Sequence, residues 1–188
     1  MKTSFYKQEE LSELGLKEYG QNVYISRNTQ IYNPEMISIG NNVRIDDFCI
    51  LSGNIKLGDY IHISAYTGVF AGNAGVEVDS FATISSRCML YAISDDYSGE
   101  YLTNPMINPN YRDVCEKKII IKKHSIIGSG STILPGVIIE TGVAVGSMSL
   151  VKNNLDAWAI YAGVPCKFIR ARSKKLLKLE AEFIENKK

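Results

Sequence analysis

The sequence predicts an all-β solenoid, in which short parallel strands stack along one axis, and three observations support this fold class. Aliphatic residues recur at every sixth position, a small or turn-forming residue often follows each of them, and the repeat runs through most of the 188 residues. A period of six fits neither the period of a helix nor the alternation of a long strand. Short strands joined by tight corners satisfy it, because each six-spaced side chain then points into the axis. A β-sandwich would instead need hairpin turn signals about every 8–12 residues.

Two uninterrupted ladders of aliphatic residues carry the repeat. The first consists of Ile39, Ile45, Leu51, Leu57, Ile63 and Val69, and the second of Ile121, Ile127, Ile133, Ile139, Val145 and Val151. The residues that follow them include Gly40, Asp46, Ser52, Gly58, Ser64, Gly128 and Gly146. These residue types tolerate the backbone angles of a tight corner. Three hexapeptides then make one triangular coil of about 18 residues.

Two interruptions of the repeat lie inside the chain. Residues 70–77 shift the register by three positions and contain two glycines. Residues 94–118 form an insertion between the two ladders, and an insertion of this length in a compact domain is usually functional or disordered. We expect the second interruption to protrude from the solenoid as a loop.

The two ends of the chain do not follow the repeat. Residues 4–19 predict one or two short helices that cap the open end of the solenoid. Residues 173–186 predict a helix with Ser173 as its N-cap and an apolar face. The predicted organisation is therefore an N-terminal helical cap (1–20), a β-helix (21–171) and a C-terminal helix (172–188).

Composition and charge exclude several classes of protein. The 21 Lys and Arg residues nearly balance the 20 Asp and Glu residues, which argues against a nucleic-acid binder. Residues 167–188, however, hold eight basic and three acidic residues, which indicates an anionic ligand or partner at that end. No apolar run approaches the roughly 18 residues of a membrane span, and no signal-peptide pattern opens the sequence. Four cysteines without a Cys-x-x-Cys pair predict free thiols in the cytoplasm, and two histidines are too few for a His-rich metal centre.

Two segments near the C-terminus add a resemblance to a known family. They are Ile133-Leu134-Pro135-Gly136-Val137 and Tyr161-Ala162-Gly163-Val164-Pro165-Cys166-Lys167-Phe168-Ile169-Arg170. Together with the ladders, they resemble the hexapeptide-repeat acyltransferases over about residues 20–172, and the galactoside, maltose and O-antigen or capsule sugar O-acetyltransferases most of all. The resemblance implies a left-handed parallel β-helix, a homotrimer, and acetyl-CoA as acyl donor in a groove between neighbouring subunits.

The resemblance also implies which residues meet the donor. The positions matched to the CoA site are Ser129, Ser147, Lys152, Ala162, Gly163, Lys167 and Arg170. The two serines match corners that line CoA, and the last two basic residues match positions that meet its phosphates. Lys and Arg suit phosphate groups because they form charge-assisted hydrogen bonds. The alternative interpretation of these basic residues is a solvated tail.

The histidine that usually acts as the family's base, after the strand that precedes the long insertion, is missing here. Asp95 aligns with its position within one residue, and Asp96 follows directly. Repulsion between the two carboxylates would raise one pKa and make a better base. His62 has the better intrinsic pKa, and its place before the inward Ile63 predicts an outward side chain. We predict that Asp95, Asp96 and His62 converge on one acceptor pocket. The alternatives are a turn formed by the aspartates and an exposed, uninvolved histidine.

The predicted function is an acetyl-CoA-dependent transfer of an acetyl group to a hydroxyl of a sugar or of a surface-polysaccharide precursor. We assign Ser64, Asn73 and Tyr97 to the acceptor and expect His124 on the surface. One alternative is N-acetylation of a nucleotide-linked amino sugar, because an amine needs less help from a base. Another is a binding scaffold that keeps the β-helix without catalysis.

Overall fold

Residues 4–186 are described by a computed structural model, and they form a β-solenoid of about seven turns. Residues 1–3 and 187–188, which belong to the predicted terminal segments, lie outside the described residues. The strands are β1 (Glu18–Tyr19), β2 (Tyr24–Ile25), β3 (Gln30–Tyr32), β4 (Ile37–Ile39), β5 (Arg44–Ile45), β6 (Ile50–Leu57), β7 (His62–Ile63), β8 (Gly68–Val78), β9 (Thr83–Ile84), β10 (Met89–Tyr91), β11 (Ile93–Asp95), β12 (Val114–Glu116), β13 (Ile119–Ile121), β14 (Ile126–Ile127), β15 (Thr132–Ile133), β16 (Ile138–Ile139), β17 (Ala144–Val145), β18 (Leu150–Val151), β19 (Ala159–Ala162) and β20 (Lys167–Ala171).

Two large sheets form the three faces of the solenoid. The eight-stranded sheet runs β2-β5-β7-β9-β14-β17-β19 in parallel, and β20 adds to it antiparallel to β19. The ten-stranded sheet makes the other two faces, because β6 pairs with β3 through residues 50–52 and with β4 through residues 55–57. Strand β8 follows the same bend as β6, with a shift in register beside Gly53 and Gly72. The parallel solenoid confirms the predicted fold class.

The interior of the solenoid is built from the predicted ladders. All twelve ladder residues are buried, with 3% or less of each residue exposed. A second inward row stands two positions before the ladder, as at Val43, Ile61 and Val143. Each coil therefore buries two side chains per face, and the stacked coils share one continuous apolar core.

The insertion at residues 94–118 leaves the solenoid through an antiparallel hairpin. Strands β11 and β12 pair with Ile93 opposite Glu116, and β13 then pairs directly with β8. The carboxylate of Glu116 accepts hydrogen bonds from the backbone N–H groups of Asn73 and Ala74. The break at residues 70–77 therefore anchors the base of the insertion.

Both ends contain helices. A 3-10 helix, Gln8–Leu14, buries Leu11, and α1 comprises Leu176–Glu185. The prediction that Ser173 caps this helix is wrong, because the N-cap is Lys175 and the Ser173 hydroxyl accepts a hydrogen bond from the Lys175 N–H outside the helix. Within residues 4–186, neither helix has the length and apolar character needed to cross a bilayer.

Two corners of the solenoid hold successive residues in the left-handed region of backbone space. The first, which we name the open corner, carries Phe48, Tyr66, Arg87, Gly130 and Met148, at φ from +56° to +74°. The second, which we name the covered corner, carries Tyr60, Phe81, His124, Gly142 and Trp158, at φ from +56° to +71°. This conformation costs a side-chain-bearing residue about 1–2 kcal/mol. The tight hexapeptide corner imposes it at the same point in each coil.

Candidate active site

A cavity of about 970 Å³ lies between the base of the insertion and one face of the solenoid. Tyr91, Thr132 and Leu150, on the neighbouring strands β10, β15 and β18, form its floor. The insertion contributes Asp95, Asp96, Tyr97 and Thr103 to the opposite wall. The cavity thus combines an apolar floor with carboxylates on one side.

The Asp95 carboxylate is held at this cavity by two later segments of the insertion. One oxygen accepts a hydrogen bond from the Arg112 guanidinium at 3.1 Å, and the other accepts one from the backbone N–H of Asn104 at 3.2 Å. The Asp95 side chain is 34% exposed and that of Arg112 is 17% exposed. Asp95 is therefore fixed by two hydrogen bonds and still accessible from the cavity.

Asp96 has a different role from its neighbour. Its carboxylate accepts hydrogen bonds from the Ser98 backbone and hydroxyl and from the Gly99 backbone, each at 3.0 Å. The bonds from Ser98 and Gly99 lower the pKa of Asp96 below its ordinary value. The expectation that repulsion would raise the pKa of one aspartate is therefore wrong for Asp96, whose oxygens close a turn.

His62 does not line this cavity. It lies outward on β7 in the eight-stranded sheet, with its Nε2 atom 2.8 Å from a carboxylate oxygen of Asp46. The other Asp46 oxygen accepts a hydrogen bond from Arg44 Nε at 2.7 Å. Burial raises the pKa of Asp46, but the hydrogen bonds from Arg44 and His62 outweigh burial and lower it. Within one chain, His62 thus has an acidic partner but does not meet Asp95.

The residues assigned to CoA lie along the last coils. Ser129 and Ser147 are exposed and directly precede Gly130 and Met148 of the open corner. The strands β19 and β20 form a hairpin that sets Ala162 opposite Lys167 and Ile160 opposite Arg170.

The turn of this hairpin packs onto the preceding coil. The Gly163 carbonyl accepts a hydrogen bond from Leu150 N–H at 3.0 Å, and Gly163 adopts a φ of +107° that favours glycine. Lys152, exposed, stands two positions beyond Leu150. The three basic residues therefore flank the same end of the solenoid.

Close stacking at the neighbouring small-residue positions leaves backbone at the surface. A Cβ atom on Gly128 would lie 2.5 Å from the Ser147 nitrogen, and one on Gly146 would lie 2.8 Å from the Ala162 Cβ. Because larger residues would force these coils apart, the glycines keep a smooth strip beside the open corner. Exposed backbone of this kind suits the amides of a pantetheine arm.

The three residues assigned to the acceptor are not brought together within the chain. Tyr97 lines the cavity and is 94% exposed. Ser64 lies after β7, close in sequence to Tyr66 of the open corner, and Asn73 uses its backbone to anchor Glu116. Asn73 is therefore part of the support of the insertion.

Sequence reasoning misplaced His124 and missed Arg112. His124 is buried, with its Nε2 atom 2.9 Å from a Glu180 carboxylate oxygen on α1, so the expectation of a surface histidine is wrong. Arg112, the partner of Asp95, lies in irregular chain and has no signal in the sequence.

The four cysteines are free, as predicted. Cys49 and Cys88 point into the core, and burial raises the pKa of Cys49 to about 11 and raises that of Cys88 as well. Thiols held in their neutral form are poor nucleophiles. Neither residue is a candidate for covalent catalysis.

Comparison with known proteins decides the family. No protein-family profile matches the chain. A dTDP-4-amino-4,6-dideoxy-D-glucose acyltransferase of Escherichia coli is 45% identical over 177 residues, which cover 93% of this chain and 92% of that protein. The chain is a hexapeptide-repeat acyltransferase. A second protein, WbbJ of E. coli K12, is named for O-acetyl transfer in lipopolysaccharide biosynthesis. It is 29% identical to this acyltransferase over 156 residues, which cover 78% of this chain and 74% of WbbJ.

Solved structures agree with this assignment. AntD, an N-acyltransferase from Bacillus cereus in complex with dTDP-4-amino-4,6-dideoxyglucose and coenzyme A, superposes on this acyltransferase with a TM-score of 0.97. It is 53% identical, and the match covers 99% of this chain and 100% of AntD. A further AntD complex holds dTDP and 3-hydroxybutyryl-CoA, with a TM-score of 0.97, 54% identity and 98% coverage of both chains.

The AntD structures include variants at a serine and at an aspartate ten positions further along its chain. This acyltransferase has the same pair of residue types at the same spacing, in Ser85 and Asp95. Of the two, Asp95 is the residue that lines the cavity.

Proposed function

We propose that the chain transfers an acyl group from an acyl-CoA to the amino group of a nucleotide-linked amino sugar, with a dTDP-linked 4-amino-4,6-dideoxy sugar as the first acceptor to test. The observation that carries the proposal is the Asp95 carboxylate, fixed by Arg112 in the wall of a cavity wide enough for a sugar. AntD, 53% identical, was solved with such a sugar and with coenzyme A. This likeness favours the amine acceptor over the hydroxyl acceptor that the sequence suggested.

The chemistry suits a site without a histidine in the cavity. The amine lone pair attacks the thioester carbonyl, the C–N bond forms, the C–S bond breaks, and the proton of the nitrogen passes to the departing sulfur. A thiolate, with a pKa of about 8.5, is a far better proton acceptor than a carboxylate with a pKa of about 4. Asp95 therefore acts by accepting a hydrogen bond from the amine and orienting its lone pair.

The donor side follows from the last coils. Ser129, Ser147 and the Ala162-Gly163 turn border the strip of exposed backbone along which the pantetheine arm would lie. Lys152, Lys167 and Arg170 supply positive charge for the phosphates at the same end. The acyl thioester would then reach the coil of Ser85.

We also propose that the enzyme is a homotrimer whose insertion covers a neighbouring subunit. The insertion leaves large apolar side chains in solvent, with Tyr97 94%, Met106 90% and Tyr111 63% exposed. Exposed apolar side chains gathered on one protruding segment favour a partner that covers this segment.

The test measures free thiol and product mass with acetyl-CoA and 3-hydroxybutyryl-CoA as donors. The acceptors are dTDP-4-amino-4,6-dideoxyglucose and the matched sugar nucleotide with a hydroxyl at the same carbon. We expect an amide product from the amino sugar and no transfer to the hydroxyl sugar. The rate should rise with pH through the pKa of the acceptor amine, because only the neutral amine attacks. Transfer to the hydroxyl sugar alone would overturn the proposal in favour of O-acylation.

A further inference from the structure

The open corner presents a pair of aromatic rings that the rest of the described chain leaves exposed. The rings of Phe48 and Tyr66 stack with centroids 5.1 Å apart and an interplanar angle of 20°. Each residue is 52% exposed. Both have left-handed backbone, at φ +60° and +63°, so the corner directs them away from the core. A stacked, outward-facing pair is a ready surface for a further planar ring.

Hydrogen bonds fix the order of residues along this corner. Tyr66 N–H donates to the Asp47 carbonyl at 3.1 Å, and Arg87 N–H donates to the Ala65 carbonyl at 3.1 Å. Gly130 N–H donates to the Ser86 carbonyl at 3.0 Å. The corner residues of successive coils therefore stack one above the other.

This order separates two ends of the corner. The residues assigned to CoA border the coils of Gly130 and Met148 and the turn beyond them. Ser85 lies in the coil of Arg87, in the middle of the row. A donor that enters from the C-terminal end and delivers its thioester to the middle leaves the N-terminal end for the acceptor. Phe48 and Tyr66 occupy that end.

We infer that the Phe48–Tyr66 pair is the platform for the nucleobase of the sugar-nucleotide acceptor, a subsite that rests on the proposed function. Aromatic side chains bind bases by stacking, since each base has a flat π face. Phe48 lies two coils from Ser85, or about 10 Å at a strand spacing of about 4.8 Å. That interval accommodates the sugar and the diphosphate between the reacting amine and the base.

A positive charge on the open corner supports placing the base at the N-terminal end and the sugar near Ser85. Arg87 is exposed and lies one coil from Tyr66, between the aromatic pair and the cofactor coils. The diphosphate of the acceptor would pass this guanidinium on its way from the base to the sugar. An arginine at such a point can make paired, charge-assisted bonds to phosphate oxygens.

The test uses substitutions that preserve the corner. Asparagine tolerates left-handed backbone, so Phe48→Asn and Tyr66→Asn remove the rings without straining the coil. Phe48→Tyr and Tyr66→Phe keep a ring at each position. Tyr32→Ala, at an aromatic residue that is 54% exposed on β3, is the matched control. The measurements are the Kd of dTDP, the KM values of acceptor and acyl-CoA, and the oligomeric state.

We expect the asparagine variants to raise the Kd of dTDP and the KM of the acceptor about five- to hundredfold, the range that loss of one base-stacking contact gives. The ring-preserving variants and Tyr32→Ala should match the wild type, and the KM of acyl-CoA should stay constant in all of them. Inorganic pyrophosphate should bind the wild type and the asparagine variants equally.

Three results would overturn the inference, and they differ in what else they affect. Unchanged dTDP binding in both asparagine variants would remove the platform and leave the proposed function intact. A changed oligomeric state, with both KM values altered, would identify the pair as a contact between subunits. A wild-type enzyme that neither binds dTDP nor acylates dTDP-linked amino sugars would remove the platform and the proposed function together.

Discussion

The two corners of the solenoid share a backbone conformation and differ in what lies on them. On the covered corner, Tyr60 and Phe81 stack with centroids 4.7 Å apart, and Phe183 of α1 meets the Tyr60 ring edge-on at 5.4 Å. On the open corner, the Phe48–Tyr66 pair stacks in much the same way and remains half exposed. Aromatic residues in left-handed backbone therefore do not mark a functional site by themselves.

The C-terminal helix accounts for the difference. Glu180 of α1 lies 2.6 Å from the Lys123 amine and 2.9 Å from the His124 ring. The guanidinium of Arg172, just before the helix, donates to the carbonyls of His124 and Gly142 at 2.8 and 3.1 Å. These contacts seal one corner, so its rings contribute to stability. On the other corner, the rings of Phe48 and Tyr66 stay half exposed. Substitutions on the open side should therefore change activity, and those on the covered side should change stability.

The largest effect on the active side is expected at Asp95. In the proposed mechanism, Asp95→Asn removes the carboxylate that orients the amine and should lower kcat/KM about a hundredfold. Asp96→Asn is the matched control one residue away, because Asp96 closes a turn and asparagine can accept part of the same hydrogen bonds. Steady-state kinetics with both substrates would check this, and equal losses in the two variants would contradict the separate roles.

The next effect concerns the donor end. Lys167→Ala with Arg170→Ala should raise the KM of acyl-CoA about tenfold and make it less sensitive to salt, since both residues are exposed and their attraction to phosphate is screened. The acceptor KM should hardly move. Lys174→Ala provides the control, since its amine lies 5.5 Å above the Trp158 ring on the covered corner. A change in the acceptor KM alone would show that the basic pair belongs to the other substrate.

The covered corner should respond in stability. Phe183→Ala removes a ring that packs on Tyr60 and Phe81 and is itself 42% exposed. The expected loss is about 1–2 kcal/mol, or a fall in Tm of about 2–8 °C. Both KM values should be retained. Phe48→Asn, on the open corner, should have the opposite effect: it should weaken acceptor binding and change Tm little. If both variants lowered Tm alone, the distinction between the corners would fail.

The smallest expected effect is a dependence of this seal on pH. Burial raises the pKa of Glu180, but hydrogen bonds from Lys123 and His124 outweigh burial and lower it. A carboxyl whose pKa is lowered by folding stabilises the protein above its ordinary pKa, and the contribution is lost as pH falls through the folded-state pKa. Glu180→Gln should therefore lower Tm near pH 7 and converge with the wild type in acid. Glu182→Gln, on the same helix but exposed, should lower Tm at neither pH.

The sequence predicted the periodic part of this protein because a six-residue spacing fixes which side chains face the axis. The spacing alone predicts that Ile45 and Ile133 are buried, and both are. Residues that make contacts from irregular segments are not regularly spaced in the sequence, so their contacts cannot be predicted in this way. Arg112 meets Asp95 across 17 positions of the chain, through a hairpin whose pairing depends on Glu116 and the break at residues 70–77. His124 was misjudged because its charged neighbours suggested solvent, whereas α1 returns to cover it.

The hairpin at the base of the insertion also separates the closure of the coil from the length of the loop. Strand β13, which follows the insertion, pairs directly with β8 of the preceding coil. The coil therefore closes without help from the loop. The length of the loop can therefore change while the stack beneath keeps its register. The same junction gives the engineer a place to exchange loops between related enzymes, with residues 97–111 replaced and Asp95 and Arg112 kept.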